Sequence, residues 1–132
     1  MASGGSTLLF VYGTLMRGGC RAGALAGQRF RGEARTEPNY RLFDCGSYPG
    51  LTEAAGRGGR NIVGELWEVD AACLQRLDRM EGVDEGLYER RPARLLQAPE
   101  NRSVEAYFYL PSTSGLRDCG VRWINMPRPS QE

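Results

Sequence analysis

The sequence contains neither histidine nor lysine, and all 17 of its basic side chains are arginines. The absence of histidine excludes Ser-His-Asp and Cys-His nucleophilic machinery, together with the commonest zinc ligand. The absence of lysine excludes Schiff-base chemistry through a lysine and a Walker-type phosphate site. Proton transfer must therefore fall to carboxylates, tyrosines or thiols, so the list of possible catalytic groups is short.

Further absences narrow the class of protein. No apolar run reaches the 18 residues or so that a transmembrane helix needs. The first seven residues have neither the charged region nor the apolar region of a secretion signal. The formal net charge is +1, without the basic excess typical of nucleic-acid binding. We expect a cytoplasmic protein whose partners include neither nucleic acids nor membranes, and its oligomeric state stays open.

Cysteine is present but in no metal-binding or redox pattern. Cys20, Cys45, Cys73 and Cys119 are far apart, and no two of them form a CxxC pair. A zinc ribbon and a thioredoxin-like site are therefore not expected. Because no secretion signal is present, we expect reduced thiols rather than disulfides.

The chain of 132 residues has the size of one domain. Its first residues, MASGGS, have the composition of a loose leader, and its last eight, NMPRPSQE, have no apolar pattern that would pack. We expect a single domain over residues 7–124, a flexible leader at 1–6 and a disordered tail at 125–132.

Glycine separates short apolar stretches along the chain. The 18 glycines are about twice the usual share. A continuous apolar run that ends at Gly13 predicts a strand buried on both faces, and later alternating stretches predict strands with two different faces. The predicted strands cover residues 8–12, 40–43, 62–69, 88–96 and 104–110.

One helix is well indicated. Asp70 is a good N-cap, residues 71–81 have helical composition, and Gly82 supplies a C-terminal stop. Residues 22–28 form a weaker candidate, either a helix or a turn. Five or six short strands with one helix, and no regular alternation of strand and helix, predict an α+β fold with a curled or barrel-like sheet.

Glu81 is the first candidate for catalysis. It lies four residues after Leu77 and seven after Leu74, on the apolar stripe of the predicted helix. It also lies in the last turn, where the helix dipole presents partial negative charge. Burial and the dipole both disfavour the ionised carboxyl, so both should raise its pKa towards that of a general base. The alternatives are a frayed helix end that exposes Glu81 to water, or an ion pair with an arginine.

The second candidate is the turn Tyr12-Gly13-Thr14-Leu15 that follows the first strand. Its successive N–H groups leave the strand ladder and can form a nest for a carboxylate or an oxyanion. Arg17 is close enough in sequence to add positive charge. The alternative is an ordinary strand-to-loop turn, because glycine mainly marks turns.

Five stretches resemble, in the right order, the sequence blocks of the γ-glutamylcyclotransferase-like superfamily. That superfamily includes γ-glutamylcyclotransferase, γ-glutamylamine cyclotransferase, the butirosin-biosynthesis cyclase and the plant avirulence-induced proteins. The resemblance extends over residues 7–124. Its stretches are FVYGTLMRG at 10–18, YRLF with YPG at 40–50, GELWEVD at 64–70, LDRMEG with YER at 77–90, and AYFY at 106–109.

The resemblance implies a small mixed β-barrel of five to seven strands, flanked by one main helix and short helices. It also implies an enzyme in which the α-amine of a γ-glutamyl amide attacks its own side-chain carbonyl and releases 5-oxoproline with an amine or amino acid. Glu81 corresponds to the general base of the family. The residues that correspond to substrate-binding positions are Tyr12, Gly13, Thr14 and Leu15 in the amide-bearing loop, and Tyr88 and Tyr109 among the pocket tyrosines.

Such a reaction needs few catalytic groups. One carboxyl with a pKa near neutrality can act first as base and then as acid. The nucleophile and the electrophile belong to the same small-molecule γ-glutamyl substrate, so their proximity is built in. The implied enzyme therefore uses no metal or other cofactor, in keeping with the absence of histidine and lysine.

Other functions stay open at this point. The same pocket could hold a γ-glutamyl or other carboxylate ligand without catalysis, as a binding module. An enzyme of this fold could instead cyclise an acyl group in specialised metabolism, and an interaction protein with an inert pocket is the third alternative. The presence of Glu81 favours an enzyme over the two non-catalytic functions. Which amine is released is not determined by the sequence.

Overall fold

The computed structural model describes residues 5–54, 58–97 and 99–124. The expected disordered tail and positions 1–4 of the expected leader lie outside these residues. In chain order the elements are β1 (Thr7–Val11), a 3₁₀ turn (Ala22–Leu25), β2 (Arg29–Arg35), β3 (Tyr40–Asp44), β4 (Pro49–Glu53), β5 (Val63–Val69), α1 (Ala71–Met80), β6 (Tyr88–Ala93), a second 3₁₀ turn (Pro99–Asn101), β7 (Val104–Tyr109) and β8 (Arg117–Asp118).

The eight strands of the described residues form one mixed sheet. β7 pairs in parallel with β1 and with β4, and the other pairs are antiparallel: β1–β5, β2–β5, β3–β4, β3–β8 and β6–β7. An isolated bridge between Thr36 and Leu95 brings the end of β2 to the chain after β6, so the sheet curls back on itself. The expected α+β class and mixed, barrel-like sheet are confirmed.

The sheet is apolar on both faces because its central strands alternate between two cores. In β1, Leu8 and Phe10 belong to the core inside the curl, whereas Leu9 and Val11 belong to the core beneath α1. This explains why the first strand is a continuous apolar run. The inner core also contains Phe108, and the outer one contains residues from β1, β5, α1, β6 and β7.

Three strands were missed by the sequence prediction, namely β2, β4 and the two-residue β8, and two predicted strands are shorter than expected. β2 has the sequence RFRGEAR and β4 the sequence PGLTE, so neither has an apolar run or a strict alternation. The predicted strands at 88–96 and 104–110 end at Ala93 and Tyr109. The segment 22–28 contains a single 3₁₀ turn. Pairing with neighbouring strands, which local pattern does not report, accounts for β2 and β4.

The helix α1 begins as predicted. The Asp70 side chain accepts a hydrogen bond from the Cys73 N–H at 2.8 Å, which satisfies one of the free N–H groups at the helix start. Its buried residues are Cys73 and Leu77, while Leu74 is only half-buried. Within the part of the chain that the structure describes, no helix is long and apolar enough to cross a membrane.

The end of α1 places Glu81 at a defined position. The helix ends at Met80, one residue earlier than predicted, and Glu81 is its C-cap. Gly82 follows with φ of +67°, a left-handed conformation that favours glycine. Its N–H bonds to the Arg79 carbonyl at 3.1 Å, and the Val83 N–H bonds to the Asp78 carbonyl at 3.0 Å. This pair of bonds is a Schellman motif, which ends the helix cleanly and argues against a frayed terminus.

β7 has three partner strands but only two edges. β6 runs along one edge, so β1 and β4 share the other, with β1 beside the start of β7 and β4 beside its end. The Tyr12 hydroxyl bridges the gap between them. It donates a hydrogen bond to the Tyr107 carbonyl at 2.6 Å and accepts one from the Leu51 N–H at 3.3 Å. A side chain at the end of β1 thus links β7 to β4 where β1 gives way to β4.

Tyr12→Phe is expected to lower the free energy of unfolding by about 1–3 kcal/mol, because it removes the two buried hydrogen bonds that the Tyr12 hydroxyl makes. Urea denaturation measures the change. Tyr48→Phe is the matched control, since the Tyr48 hydroxyl makes no hydrogen bond within the described residues. Equal stability of the two variants would contradict the bridging role of the Tyr12 hydroxyl.

Candidate active site

A cavity of about 70 Å³ lies where β1 ends, beside the last turn of α1. Six of the predicted site residues line it: Tyr12, Gly13, Thr14, Leu15, Glu81 and Tyr88. The sequence analysis did not assign the other eight lining residues to the site: Phe10, Val11, Arg21, Tyr48, Pro49, Met80, Leu87 and Tyr107. The predicted loop and the predicted carboxyl therefore line one cavity, although 66 positions separate Leu15 from Glu81 in the sequence.

Glycine is required at two places in the loop that follows β1. A Cβ at Gly13 would lie 2.5 Å from Cγ of Pro49, so the loop packs directly against the start of β4. A Cβ at Gly19 would lie 2.3 Å from the carbonyl oxygen of Thr14, because the loop folds back on itself there. Any side chain at either position would push the loop away from its present course.

The hydrogen bonds of this loop use its carbonyl groups and leave N–H groups free. The Met16 N–H donates to the Gly13 carbonyl at 3.0 Å, and the Arg21 N–H donates to the Thr14 carbonyl at 2.9 Å. Among the described residues, the N–H groups of Gly13, Thr14 and Leu15 donate no hydrogen bond. Three successive donors are thus available beside the cavity, which is the arrangement that a nest for an anion requires.

A buried carboxylate holds the loop from the side of the sheet. Glu65 is only 7% exposed and accepts hydrogen bonds from the Arg17 N–H and Arg17 Nε, each at 3.0 Å, and from Trp67 Nε1 at 3.1 Å. The Arg17 guanidinium also lies 3.8 Å over the ring of Phe30. Arg17 was expected to add charge to the turn, but its charge is paired with Glu65 and it does not line the cavity.

Glu81 is half-buried, and its carboxyl makes no hydrogen bond or ion pair with any residue of the described ranges. Burial raises the pKa of this carboxyl to about 7, and the positive charge of Arg21 opposes the rise. The cause is the one that the apolar stripe predicts, namely loss of water around the charged form. A carboxyl with a pKa close to neutrality can both accept and return a proton at physiological pH.

Three tyrosines of the cavity, Tyr12, Tyr88 and Tyr107, are structural and neutral. The Tyr88 hydroxyl donates to the Pro49 carbonyl at 2.6 Å, and the Tyr107 hydroxyl donates to Asp78 Oδ1 at 2.6 Å. Burial raises the pKa values of Tyr12, Tyr88 and Tyr107 well above the usual value of a tyrosine. Each of these three hydroxyls therefore keeps its proton and its structural bond, so none of them is a base at neutral pH.

Asp78 fastens the last turn of α1 to the sheet. It accepts two hydrogen bonds from Arg90, at 2.9 Å from Nε and 3.0 Å from Nη2, besides the one from Tyr107. Burial alone would raise the pKa of Asp78, but the bonds from Arg90 and Tyr107 lower it below its usual value. The ionised Asp78 ties α1 to β6 and β7 and so fixes the helix end that carries Glu81.

Tyr109 differs from the other predicted site residues because it does not line the cavity. It is paired with Tyr88 across β6 and β7, and its ring meets the Tyr88 ring edge-on with centroids 5.5 Å apart. Gly50 lies against it so closely that a Cβ there would be 2.7 Å from the Tyr109 Cβ. Tyr109 therefore supports the cavity from behind, through its contact with the lining residue Tyr88.

The four cysteines are free thiols, and none of them lines the cavity. In the ranges that the structure describes, no group of three or more Cys, Asp or Glu side chains is placed to hold a metal ion. The polar groups that the cavity offers to a ligand are therefore one carboxyl, one guanidinium, hydroxyl groups and backbone N–H groups.

The sequence of this chain is similar to those of known proteins. The chain is 41% identical over 76 residues to a putative gamma-glutamylcyclotransferase of Vibrio cholerae, a match that covers 58% of this chain and 63% of that protein, less than two thirds of its length. It is 31% identical over 133 residues to the gamma-glutamylaminecyclotransferase of Bos taurus, with 96% and 75% covered.

A solved structure of an AIG2-like protein from Mus musculus has a similar fold. Its TM-score is 0.69 at 25% identity, and the match covers 96% of this chain and 99% of that one. The family model described as gamma-glutamyl cyclotransferase, AIG2-like, matches residues 9–124, a range that contains every described residue of the cavity. The chain belongs to this gamma-glutamyl cyclotransferase, AIG2-like family.

Proposed function

We propose that this protein cleaves γ-glutamyl amides by cyclisation and releases 5-oxoproline together with an amine or amino acid. One observation carries the proposal: a half-buried, unpaired carboxyl with a pKa raised to about 7, Glu81, lines the same cavity as three unused backbone N–H groups. Family membership supports a cyclotransferase-type reaction. The residue roles below are part of the proposal.

Glu81 moves the proton that the reaction requires. The ionised carboxyl accepts a proton from the α-ammonium group of the substrate, and the freed nitrogen attacks the side-chain carbonyl carbon, Cδ. The new N–Cδ bond closes a five-membered ring, and the carbonyl oxygen becomes an oxyanion. When the oxyanion collapses, Glu81 returns the proton to the leaving nitrogen and the bond from Cδ to that nitrogen breaks. The ring nitrogen still carries two hydrogens, and the regenerated carboxylate passes one of them to the released amine, which leaves as an ammonium ion. No water, oxidant or net proton is consumed.

The loop supplies the complementary charge. The N–H groups of Gly13, Thr14 and Leu15 are donors for the negative oxygens of the substrate, either the α-carboxylate or the developing oxyanion. Because they are held by the folded loop, they need little rearrangement when charge develops. Tyr12, Tyr88 and Tyr107, whose pKa values are raised, shape the cavity around them and add no competing base.

Glu81→Gln is expected to lower kcat by about 10²–10⁴-fold, because the amide cannot accept a proton. Release of 5-oxoproline from γ-glutamyl dipeptides and amines, followed by mass spectrometry, measures the loss. Asp84→Asn is the matched control, since it removes an exposed carboxyl three positions along the chain.

At pH 8, the free energy of unfolding of Glu81→Gln should be no lower than that of the wild type, and urea denaturation measures it. Glu81 has a higher pKa folded than unfolded, so its ionisation destabilises the fold increasingly as pH rises from about 4.5 to about 7. The Gln variant escapes this penalty, so a loss of activity cannot be attributed to unfolding. A near-normal kcat would show that Glu81 is not the base, whereas no release of 5-oxoproline by the wild type from any of these substrates would favour a non-catalytic binding module.

The activity should depend on pH with an acid limb near 7. The base must be ionised, so kcat/KM is expected to fall as pH drops through the raised pKa of Glu81, about 7. A profile of kcat/KM between pH 4 and pH 9 at constant ionic strength tests this. An acid limb near the pKa of an ordinary glutamate, about 4.3, would show that the base is not a buried carboxyl.

A substrate acetylated at its α-amine is expected to bind but not to cyclise, because its nucleophile is blocked. Competition against the unmodified substrate measures binding, and mass spectrometry follows the products. Release of the amine from the acetylated substrate at a normal rate would mean hydrolysis by water. The protein would then be an amidase rather than a cyclotransferase.

A further inference from the structure

Arg21 is the only cation among the described residues that line the cavity, and the proposed reaction does not use it. Its backbone is held in place because its N–H donates to the Thr14 carbonyl at 2.9 Å, directly before the first 3₁₀ turn. The backbone of Arg21 at the cavity is therefore positioned by the same loop that carries the free N–H groups.

The Arg21 side chain has no partner in the described part of the chain. Arg17 and Arg90, by contrast, are held by Glu65 and Asp78 at distances of 2.9 to 3.0 Å. No hydrogen bond or ion pair joins the Arg21 guanidinium to any described residue, Glu81 included. Such a guanidinium keeps all its donors available for an anion from outside the protein.

Depth within the cavity distinguishes Arg21 from the loop donors. Residues 12–15 are buried, Glu81 is half-buried and Arg21 is exposed. The glutamyl half of a substrate must reach both Glu81 and the loop N–H groups, because its α-amine and its Cδ carbonyl are the reacting groups. The leaving half then extends towards the solvent, which is the side on which the exposed Arg21 lies.

We propose that Arg21 binds a carboxylate on the leaving half of the substrate, so that γ-glutamyl amino acids or peptides are preferred over γ-glutamyl derivatives of neutral or cationic amines. This rests on the proposed function. A guanidinium matches a carboxylate with paired N–H···O bonds, and it repels a leaving group that carries an ammonium. Arg21 is thus a specificity-determining residue, and the proton transfer remains with Glu81.

The test must separate this contact from the effect of Arg21 on Glu81. The positive charge of Arg21 lowers the pKa of Glu81, so its removal changes the rate with every substrate. That change cancels in a ratio of two substrates with the same glutamyl half. Suitable substrates are γ-glutamyl-alanine and γ-glutamyl-alaninamide, which differ in the charge of the leaving half, and a γ-glutamyl derivative of ethylenediamine adds a cationic one.

The quantity to measure is the ratio of kcat/KM for γ-glutamyl-alanine to that for the alaninamide. We expect Arg21→Gln to lower this ratio by about 5- to 30-fold. An effect of this size lies between the usual contribution of an exposed ion pair and that of a hydrogen bond to a charged group. Arg21→Lys should retain part of the preference because it keeps the charge. Arg76→Gln, which removes an exposed arginine of α1 that does not line the cavity, should leave the ratio unchanged.

Binding provides a second measurement that needs no turnover. In the Glu81→Gln background, calorimetry compares the Kd values of γ-glutamyl-alanine and its amide, with Arg21 present and with Arg21→Gln. If no substrate yields 5-oxoproline but Arg21 still selects the carboxylate, the proposed reaction fails and the Arg21 contact is supported. If 5-oxoproline forms but Arg21→Gln leaves the ratio unchanged, the reaction is supported and the Arg21 contact is refuted.

One more outcome would overturn the proposal. Arg21→Gln could weaken the binding of γ-glutamyl-alanine and of its amide by the same factor in the Glu81→Gln background. The guanidinium would then bind the α-carboxylate, which both ligands share, and it would not discriminate between leaving groups.

Discussion

Where β1 gives way to β4 along the same edge of β7, the Tyr12 hydroxyl bonds to both the Tyr107 carbonyl and the Leu51 N–H. Because this bridge is buried, the loss of its two hydrogen bonds would remove a sizeable part of the marginal stability of a small domain. The bridge allows β1 to leave the sheet at Gly13. The chain then turns with its N–H groups unpaired, and the cavity forms in the space between the strands.

The part of the site that carries Glu81 also depends on Tyr107 of β7. The Tyr107 carbonyl accepts the Tyr12 hydroxyl, and the Tyr107 hydroxyl donates to Asp78 at the end of α1. One residue thus links the loop that carries the free N–H groups to the helix end that carries Glu81. Since the cavity lies between these two parts, its dimensions depend on a short chain of hydrogen bonds rather than on a flexible loop. Groups held in this way require little reorganisation during a reaction.

The features of the site that depend on local pattern could be predicted from the sequence. The apolar run that ends at Gly13 indicates a buried strand followed by a turn, and the helical stripe places Glu81 on the buried side. The partners of the other residues lie far away in the sequence, which explains what was missed. Arg17 bonds to Glu65, 48 positions away, and the Tyr107 hydroxyl bonds to Asp78, 29 positions away. No local pattern reports such pairs, just as none reports the pairing that stabilises β2 and β4.

Two carboxyls at the C-terminal end of α1, Asp78 in its last turn and Glu81 at its C-cap, show why an unpaired carboxyl suits the proposed chemistry. Asp78 is bonded to Arg90 in two places, its pKa is lowered, and it stays ionised as a fixed anchor. Glu81, three residues later, has Arg21 near enough to affect its pKa but not bonded to it, and burial raises that pKa to about 7. A direct bond from Arg21 would favour the charged form of Glu81, just as the bonds from Arg90 favour the charged form of Asp78. Glu81 would then take up and return a proton less readily. The separation between Arg21 and Glu81 leaves the carboxyl able to titrate and the guanidinium able to bind an anion, and both are needed if the substrate carries a carboxylate on the half that leaves.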